Sequence, residues 1–390
     1  MTGRLAFVES PVQLLNVLEW AHAQVTGAAG TSVAPGPSGA APGVLAAVPG
    51  PRTPGRTAGG SPAAGDLTVV VLSPTDPMSR GQLRRMAQLA RDEGLTVRWQ
   101  EARGGRGSLP RTLRDLAPLL RAAERIIVGD PFSRYVQLLL TLFGPKHLTV
   151  VDDGTATMEF AAQLARGERL VRWHRRGGLG PRELVLAPVS ALARRRLAPG
   201  RRRTFEIFTS LPVDPPEGTT VTPHTFAWTR ARFGPPRLTR GADLVGTSLV
   251  ETGVVDPDRY VRAVAGLAGA HGATRYFAHR RESTDKLHRI AVETGLEIVR
   301  PDLPLELIAR RGPIGRTVVS FPSTVVHTLP LALADTGVKV AVCAIAPEWL
   351  RENVSARAQG FLSGVAGTAA HEVDRLPACA GPSVERLEFG

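Results

Sequence analysis

The chain has 390 residues, 43% of them hydrophobic and 21% charged. Because a single core rarely grows past roughly 250–300 residues, this length favours more than one domain. The formal net charge is +13, which invites a nucleic-acid interpretation. The only lysines are Lys146, Lys286 and Lys339, so nearly all the positive charge is arginine. We attribute it to composition bias or to an anionic partner of any size, and predict no nucleic-acid partner.

The cysteines and the hydropathy of the chain indicate in which cellular compartment the protein works. Cys343 and Cys379 form neither a metal-ligand cluster nor a disulfide framework, which favours a reducing setting. The first residues lack the apolar core of a signal peptide, and no apolar run approaches the ~20 residues that span a bilayer. The sequence therefore predicts a cytoplasmic protein, with peripheral contact at an anionic membrane surface left open.

The chain opens with a short apolar strand at 4–8 and a helix. Ser10 is placed as the N-cap of that helix and Pro11 as its first residue, a favoured pairing. Residues 26–65 then consist of Gly, Ala, Pro, Ser and Thr with few aliphatic and no aromatic residues. Such a composition buries too little apolar surface to offset the entropy of ordering, so we predict a disordered insertion.

Short apolar runs alternate with helical patterns after the insertion. This alternation is typical of a parallel sheet covered on both faces, and hence of an α/β fold. The predicted strands are 67–73, 96–100, 125–129 and 147–151, and the predicted helices between them are 80–93, 109–122 and 135–143.

Residues 172–240 interrupt the alternation with many prolines and with arginine runs at 194–196 and 201–203. We interpret them as a basic interdomain region with irregular or helical pieces, between domains at 1–171 and 241–390. The second domain repeats the pattern, with strands at 243–249, 274–278, 297–300, 317–321 and 338–343 and helices at 257–270, 284–294, 305–310 and 324–335. Two doubly wound domains facing each other place a ligand cleft at the carboxyl ends of both sheets.

Asp152, Asp153 and Gly154 follow the strand at 147–151. Neighbouring strand residues point to opposite faces, so the two carboxylates are poorly placed to chelate one metal. We expect one carboxylate in the cleft, able to act as a general base on a hydroxyl, and the other held in structure. The alternative is an ordinary turn and helix N-cap.

His279, Arg280 and Arg281 follow the strand at 274–278 and precede a helix that starts at Ser283. Charge-assisted donors beside a helix N-terminus suit an anion, whereas the alternative is a solvated basic loop.

Ser323 and Thr324 follow the strand at 317–321 and open a helix. Their hydroxyls and the free backbone N–H groups form a potential phosphate site, with an ordinary helix cap as the alternative. His327, one turn later, is a weaker candidate. The sequence has no Walker loop, no Gly-x-Gly-x-x-Gly after a strand, no Gly-x-Ser-x-Gly elbow and no His-Glu-x-x-His.

These three motifs, in this order, and the opening VESPVQLLNVLEW resemble bacterial sialyltransferases and polysialyltransferases of the two-domain GT-B type, family 52 in particular. The resemblance implies two Rossmann-like domains, the first on the acceptor side and the second binding a nucleotide sugar. It also implies an inverting transfer of a sialic-acid-like sugar from a CMP-sugar to a glycan or glycosylated acceptor. No cofactor and no metal are expected.

The resemblance assigns roles to individual residues. Asp152 becomes the general base, and His279 contacts the donor phosphate and assists its departure. The expected donor-binding residues are Glu306 at the ribose, Ser323 and Thr324 at the phosphate, and Arg280 and Arg281, while Asp153 and Gly154 are structural. Two motifs depart from the family, because His-Pro is here His279-Arg280 and Ser-Ser is Ser323-Thr324.

Two other functions stay open from the sequence. One is a transferase that uses another nucleotide-sugar donor, and the other is a basic protein that binds an anionic polymer or membrane surface. The enzyme hypothesis requires Asp152, His279, Glu306, Ser323 and Thr324 to line one cleft. The binding-protein hypothesis requires the two arginine runs to form a continuous exposed stripe.

Overall fold

The structure, a computed structural model, describes residues 3–30, 66–103, 105, 108–170, 190–201, 203–351, 360, 362, 364, 367 and 373–376. Most of the predicted insertion, 31–65, lies outside the described residues. Its predicted start at residue 26 is wrong, because the first helix continues to Gly30. No helix within the described ranges combines the length and apolar character needed to cross a bilayer.

Seven parallel strands in the order β3-β2-β1-β4-β5-β6-β7 form the first sheet. Strand β1 lies between β2 and β4, so the direction of the strand order changes between β1 and β4. Open α/β sheets bind ligands beside the carboxyl ends of the strands at such a point. The elements are β1 Gly3–Val8, α1 Pro11–Gly30, β2 Leu67–Leu72, α2 Pro77–Asp92, β3 Thr96–Gln100, α3 Ser108–Ala122, β4 Ala123–Val128, α4 Arg134–Leu142, β5 His147–Val151, α5 Thr155–Ala165, α6 with residues 190–196 described, β6 Thr204–Thr209, β7 Thr219–Pro223 and α7 Ala227–Arg232.

Part of the predicted interdomain region belongs to this sheet. Residues 172–189 and 202 lie outside the described residues, but β6 pairs in parallel with β5, and β7 with β6. The prediction that 172–240 separates the domains is therefore wrong for 204–223. The segment contributes a strand because Phe205, Ile207 and Phe208 are buried in the first-domain core. This apolar pattern is short and lies among prolines and arginines, so it was not predicted as a strand.

The second sheet has six parallel strands in the order β10-β9-β8-β11-β12-β13. It begins at Leu238, before the predicted boundary at 241, and β13 lies in the chain's last part, where no strand was predicted. Its elements are β8 Leu238–Val245, α8 Pro257–His271, β9 Ala273–Phe277, α9 Thr284–Thr294, β10 Glu297–Val299, α10 Leu305–Arg311, β11 Ile314–Ser320, α11 Val325–Ala332, β12 Lys339–Cys343, a 3₁₀ turn Pro347–Trp349, and β13 Val373–Leu376.

The domains share part of one core. Leu303, just before α10, and Leu307, in its first turn, are buried in the same apolar cluster as Leu15 and Leu18 of α1. Gln82 of α2 also donates a 2.6 Å hydrogen bond to the carbonyl of Pro301. The first helix of one domain and α10 of the other therefore lie together at the base of the cleft.

Two doubly wound Rossmann-like domains face each other with the carboxyl ends of both sheets at the cleft. Two such domains around one cleft are the GT-B architecture, which confirms the predicted fold class.

Candidate active site in the interdomain cleft

A cavity of about 330 Å³ opens between the two sheets. Its walls come from both domains and contain every predicted catalytic, donor-binding and structural residue of the three sequence motifs and the ribose prediction. These residues are Asp152, Asp153, Gly154, His279, Arg280, Arg281, Glu306, Ser323 and Thr324. The weaker candidate His327 does not line the cavity.

Asp152, directly after β5, is 4% exposed and its carboxylate is held by the first domain. Oδ1 accepts a hydrogen bond from Thr209 Oγ1, and Oδ2 accepts bonds from the Ser210 N–H at 2.7 Å and the Ser210 hydroxyl at 3.1 Å. Asn16 Nδ2 donates to the Asp152 carbonyl at 2.8 Å. A carboxylate has about four acceptor sites, so the three bonds orient it and leave one site for a substrate.

Asp153 is half-buried beside it, and its backbone N–H donates to Thr157 Oγ1 at 2.8 Å in the first turn of α5. Gly154 precedes this helix with φ of +66° and ψ of −141°, a conformation that favours glycine strongly. The Asp-Asp-Gly motif is therefore both the turn after β5 and one wall of the cavity.

His279 follows β9 and faces the cavity from the second domain. The Arg281 N–H donates to its Nδ1 at 3.2 Å, so in the neutral ring Nε2 carries the proton. Desolvation by burial, together with the charges of Arg280, Arg281 and Lys286, lowers the pKa of His279 to about 3. Without ligand, the imidazole is therefore a neutral hydrogen-bond donor at physiological pH.

Arg280 and Arg281 extend from this loop toward the first domain. The pKa of Asp76, at the N-terminus of α2, is lowered mainly by its hydrogen bond from the Ser79 N–H and also by the two arginine charges. Both guanidinium groups therefore act electrostatically across the cleft.

Glu306 lies in the first turn of α10 and is 6% exposed. Its Oε1 accepts a 2.6 Å hydrogen bond from Thr328 Oγ1 of α11. Thr328 also lines the cavity, so α11 orients the Glu306 carboxylate toward the space between the domains.

Ser323 and Thr324 open α11, as predicted. Ser323 Oγ lies 3.4 Å from Ser320 Oγ, and Thr324, at the N-cap position, makes no side-chain capping bond. The alternative of an ordinary threonine cap therefore does not apply to Thr324. One turn later, His327 is buried, and its Nε2 has no hydrogen-bond partner among the described residues. Burial lowers its pKa, while the charge of Asp152 opposes that shift.

Several cavity residues were missed from the sequence. Gly246, Thr247 and Ser248 follow β8 at the same carboxyl edge and line the cavity. They were hidden because the predicted strand ran on to 249. Thr209 ends β6 and Ser210 follows it; both hold Asp152 from behind the cavity wall, and only recognition of β6 as a strand would have drawn attention to them.

A buried histidine lies behind Asp152. His224 stacks between the rings of Phe208 and Phe226, with centroid distances of 4.9 and 4.1 Å. Its Nδ1 is 3.8 Å from Asp152 Oδ2, and its Nε2 is 3.9 Å from Glu19 Oε2. The sequence pattern carried no signal for this placement, because the three chain segments meet only in the folded domain.

Two other arrangements bear on the alternatives. In the described part of the chain, no three His, Cys, Asp or Glu side chains come together as a potential metal site. Of the arginine runs, Arg194 donates to the Gly167 carbonyl, and Arg203 donates to the carbonyls of Pro145 and Arg196. These two side chains therefore bind their own domain.

No protein-family model and no curated protein matches the chain. Solved structures similar to it include an α/β-galactoside α-2,3-sialyltransferase from Photobacterium phosphoreum, with 8% identity, 96% and 98% of the two chains covered and a TM-score of 0.47. The GT-B domain of a sialyltransferase from Photobacterium damselae has 10% identity, 97% and 100% coverage and a TM-score of 0.43. A Listeria monocytogenes protein named as a UDP-N-acetylglucosamine 2-epimerase has 11% identity, 87% and 78% coverage and a TM-score of 0.46. At these scores the similarities carry no argument about donor or acceptor.

Proposed function

We propose that the protein is a glycosyltransferase that moves a sialic-acid-like sugar from a CMP-sugar to a hydroxyl of a glycan or glycosylated acceptor. One observation carries this proposal: Asp152 of the first domain and His279, Glu306, Ser323 and Thr324 of the second line a single cavity. The first domain is then the acceptor side, and the second binds the nucleotide sugar.

The second domain offers the donors that a leaving nucleoside monophosphate requires. CMP departs with about two negative charges on its phosphate, and preorganised donors in a cleft stabilise such developing charge. His279 supplies an Nε2–H, and Ser323 and Thr324 supply hydroxyls at the start of α11, with Arg280 and Arg281 adding positive charge. The neutral state of His279 suits a hydrogen bond to the phosphate.

Asp152 supplies the base on the opposite wall. As the acceptor oxygen bonds to the anomeric carbon, its proton passes to the Asp152 carboxylate, and the electrons of the breaking carbon–oxygen bond leave on the phosphate. An oriented base of this kind contributes roughly 10²–10⁴-fold. The bonds from Thr209 and Ser210 fix the carboxylate before substrate arrives.

Glu306 supports the choice of a nucleotide as ligand. Because Thr328 occupies Oε1, the remaining oxygen Oε2 is available to accept a hydrogen bond from a ribose hydroxyl. The base and sugar of the donor would lie along the apolar part of the cavity wall, which includes Phe277, Leu303 and Val325.

Two other functions remain as alternatives. A different nucleotide-sugar donor would use the same phosphate and ribose contacts, so the donor must be found by experiment. A non-catalytic protein for anionic polymers is less well supported, because Arg194 and Arg203 of the proposed basic stripe hydrogen-bond to backbone carbonyls of their own domain.

The location follows from the proposed substrate. A cytoplasmic enzyme is consistent with a nucleotide-activated donor and with cysteines that form no disulfide framework in the sequence. The +13 net charge is consistent with peripheral contact at an anionic membrane face.

The test is release of CMP from CMP-Neu5Ac and from a panel of other CMP-, UDP- and ADP-sugars, with and without mixed glycan acceptors. We expect acceptor-dependent release of CMP from a sialic-acid-like donor. Asp152→Asn should lower kcat by roughly 10²–10⁴-fold, and the neighbouring Asp153→Asn, the matched control, should lower it far less. Release from UDP- or ADP-sugars alone would select the other donor class. No release from any donor, or full activity of Asp152→Asn, would refute the proposal.

A further inference from the structure

A buried polar network lies directly beneath the His279 loop. Glu282 has a fully buried side chain whose Oε2 accepts a 2.5 Å hydrogen bond from the His279 N–H. Its Oε1 accepts a 2.6 Å bond from the Tyr276 hydroxyl and lies 2.8 Å from Lys286 Nζ. The loop that carries His279 is therefore fixed from below by one carboxylate.

Lys286 extends the network to a second loop. Its Nζ donates to the Thr247 carbonyl and to Glu251 Oε2, both at 3.0 Å, in addition to its contact with Glu282. Glu251 in turn accepts a 3.0 Å bond from the Ser283 N–H at the start of α9. One ammonium group therefore joins the loop after β8 to the loop after β9, both of which line the cavity.

The space around this group is closed. The Lys286 ammonium lies 4.6 Å from the centroid of the Tyr260 ring, whose hydroxyl is 2.8 Å from that of Tyr276. At Gly246 even a Cβ would collide with the Glu282 carboxylate and the Tyr276 hydroxyl. Burial of Tyr260, Tyr276, Glu282 and Lys286 is costly unless their polar atoms are paired, which these bonds achieve.

The residue type is specific to this position. Only three of the 48 basic residues are lysines, and this one is buried. An ammonium donates three hydrogens in tetrahedral directions, which matches three oxygens from Thr247, Glu251 and Glu282. A planar guanidinium donates in a fixed fork and is larger, so arginine cannot reproduce the arrangement.

We propose that Lys286 is the positioning residue of the donor side: it holds loops 246–248 and 279–282 in the relative placement that allows both to contact one bound phosphate. The inference rests on the proposed function for the identity of that anion. The structural part, the coupling of the two loops by one ammonium group, is independent of the donor.

The test compares Lys286→Arg with wild type and with Lys339→Arg, the same change at an exposed strand residue. Amide hydrogen exchange is measured on the ligand-free proteins for peptides covering 245–251 and 276–283. We expect Lys286→Arg to speed exchange in both peptides by about tenfold or more, as for loss of a buried charged hydrogen bond, while peptides of the first sheet stay unchanged. CMP affinity, measured by calorimetry, should fall by a similar factor, and Lys339→Arg should match wild type.

Unchanged exchange in both loops of folded Lys286→Arg would overturn the proposal. If that variant fails to fold, Glu251→Gln replaces it, because Glu251 is the more exposed of the two carboxylates. It should speed exchange of 245–251 measurably, and no change there would equally overturn the coupling. Wild type that binds neither CMP nor any other nucleotide would refute the proposed function, while the exchange result would still decide the role of Lys286.

Discussion

Gly154 of the first domain packs directly against Thr324 of the second. A Cβ at residue 154 would lie 3.2 Å from Thr324 Cγ2 and 3.5 Å from Thr324 Oγ1. The Asp-Asp-Gly turn after β5 therefore touches the Ser-Thr turn before α11. This contact fixes the distance between the proposed base and the proposed phosphate site in the structure.

Gly154→Ala should reduce both stability and transfer. The φ of +66° at Gly154 penalises a side chain, and the added methyl group would push Thr324 away. We expect a loss of about 1–3 kcal/mol in the free energy of unfolding. Donor KM should rise because the Thr324 hydroxyl, which is proposed to bind the donor phosphate, moves. Urea unfolding and steady-state kinetics measure the two effects.

Gly253→Ala provides the control, since Gly253 has a φ of +71° and open space where its Cβ would lie. It should lose stability with donor KM unchanged. Thr324→Ser removes Cγ2 but keeps the hydroxyl, so adding it to Gly154→Ala should restore part of the lost affinity. Equal donor KM values for Gly154→Ala and Gly253→Ala would contradict the role of the contact.

Periodicity predicted most of the fold because apolar strands alternate with amphipathic helices. Local end signals also support the predicted helix α8, since Asp256 caps it, Pro257 begins it and Gly272 ends it in the left-handed conformation. Local rules failed at β6, which pairs with β5 from far along the sequence, with Thr204 opposite His147, and at β7, which pairs only with β6 among the described strands. The β7 strand has mostly exposed residues at the sheet edge, so it has little apolar signal to detect.

The candidate site shows the same division. Asp152, His279 and Ser323 were predictable because each follows an apolar strand. Thr209 and Thr328, which hold Asp152 and Glu306, lie 57 and 22 residues from their partners. No local pattern links such pairs, and only the folded chain brings them together.

Thr328→Val should weaken donor binding with little change in kcat. The substitution keeps the shape of the side chain but removes the hydroxyl that donates to Glu306 Oε1 at 2.6 Å. The buried carboxylate then loses its orientation toward the ribose. We expect donor KM to rise about tenfold, which corresponds to a hydrogen bond to a charged group of about 1.5 kcal/mol.

Thr141→Val is the matched change, because the Thr141 hydroxyl donates to a carbonyl within its own helix in the first domain. It should leave the kinetics as in wild type. If Thr328→Val lowers kcat while donor KM stays constant, Glu306 acts in the chemical step and the ribose assignment is wrong.

His279 should make the protein sensitive to acid. Burial lowers its pKa from 6.5 to about 3, so between these values the unfolded chain takes up a proton that the folded protein does not. Stability is therefore fully present above pH 6.5 and falls as the pH drops toward 3. From pH 7.5 to 5.0, His279 should account for a loss of about 1–2 kcal/mol.

Urea unfolding at the two pH values measures this effect. His279→Gln should lose less stability over the interval than wild type, because glutamine does not titrate. The control is His288→Gln, an exposed position on α9, which should lose as much as wild type. Equal losses for wild type and His279→Gln would contradict the lowered pKa.

Leu307→Ala should destabilise both domains together. Leu307 belongs to the second domain, but its side chain is fully buried in the cluster that includes Leu15 and Leu18 of α1. The cavity that the alanine substitution creates therefore lies between the domains. We expect the free energy of unfolding to fall by about 2–5 kcal/mol. Calorimetry should show a single unfolding transition. The control is Leu142→Ala, the same chemical change at an exposed position, which should lower the free energy of unfolding much less.

Two separate transitions in Leu307→Ala would mean that the domains unfold independently and that their shared cluster does not couple them. A single lowered transition would mean that the cleft geometry and the core depend on the same contacts, and substitutions at the base of the cleft should then alter donor affinity as well as stability.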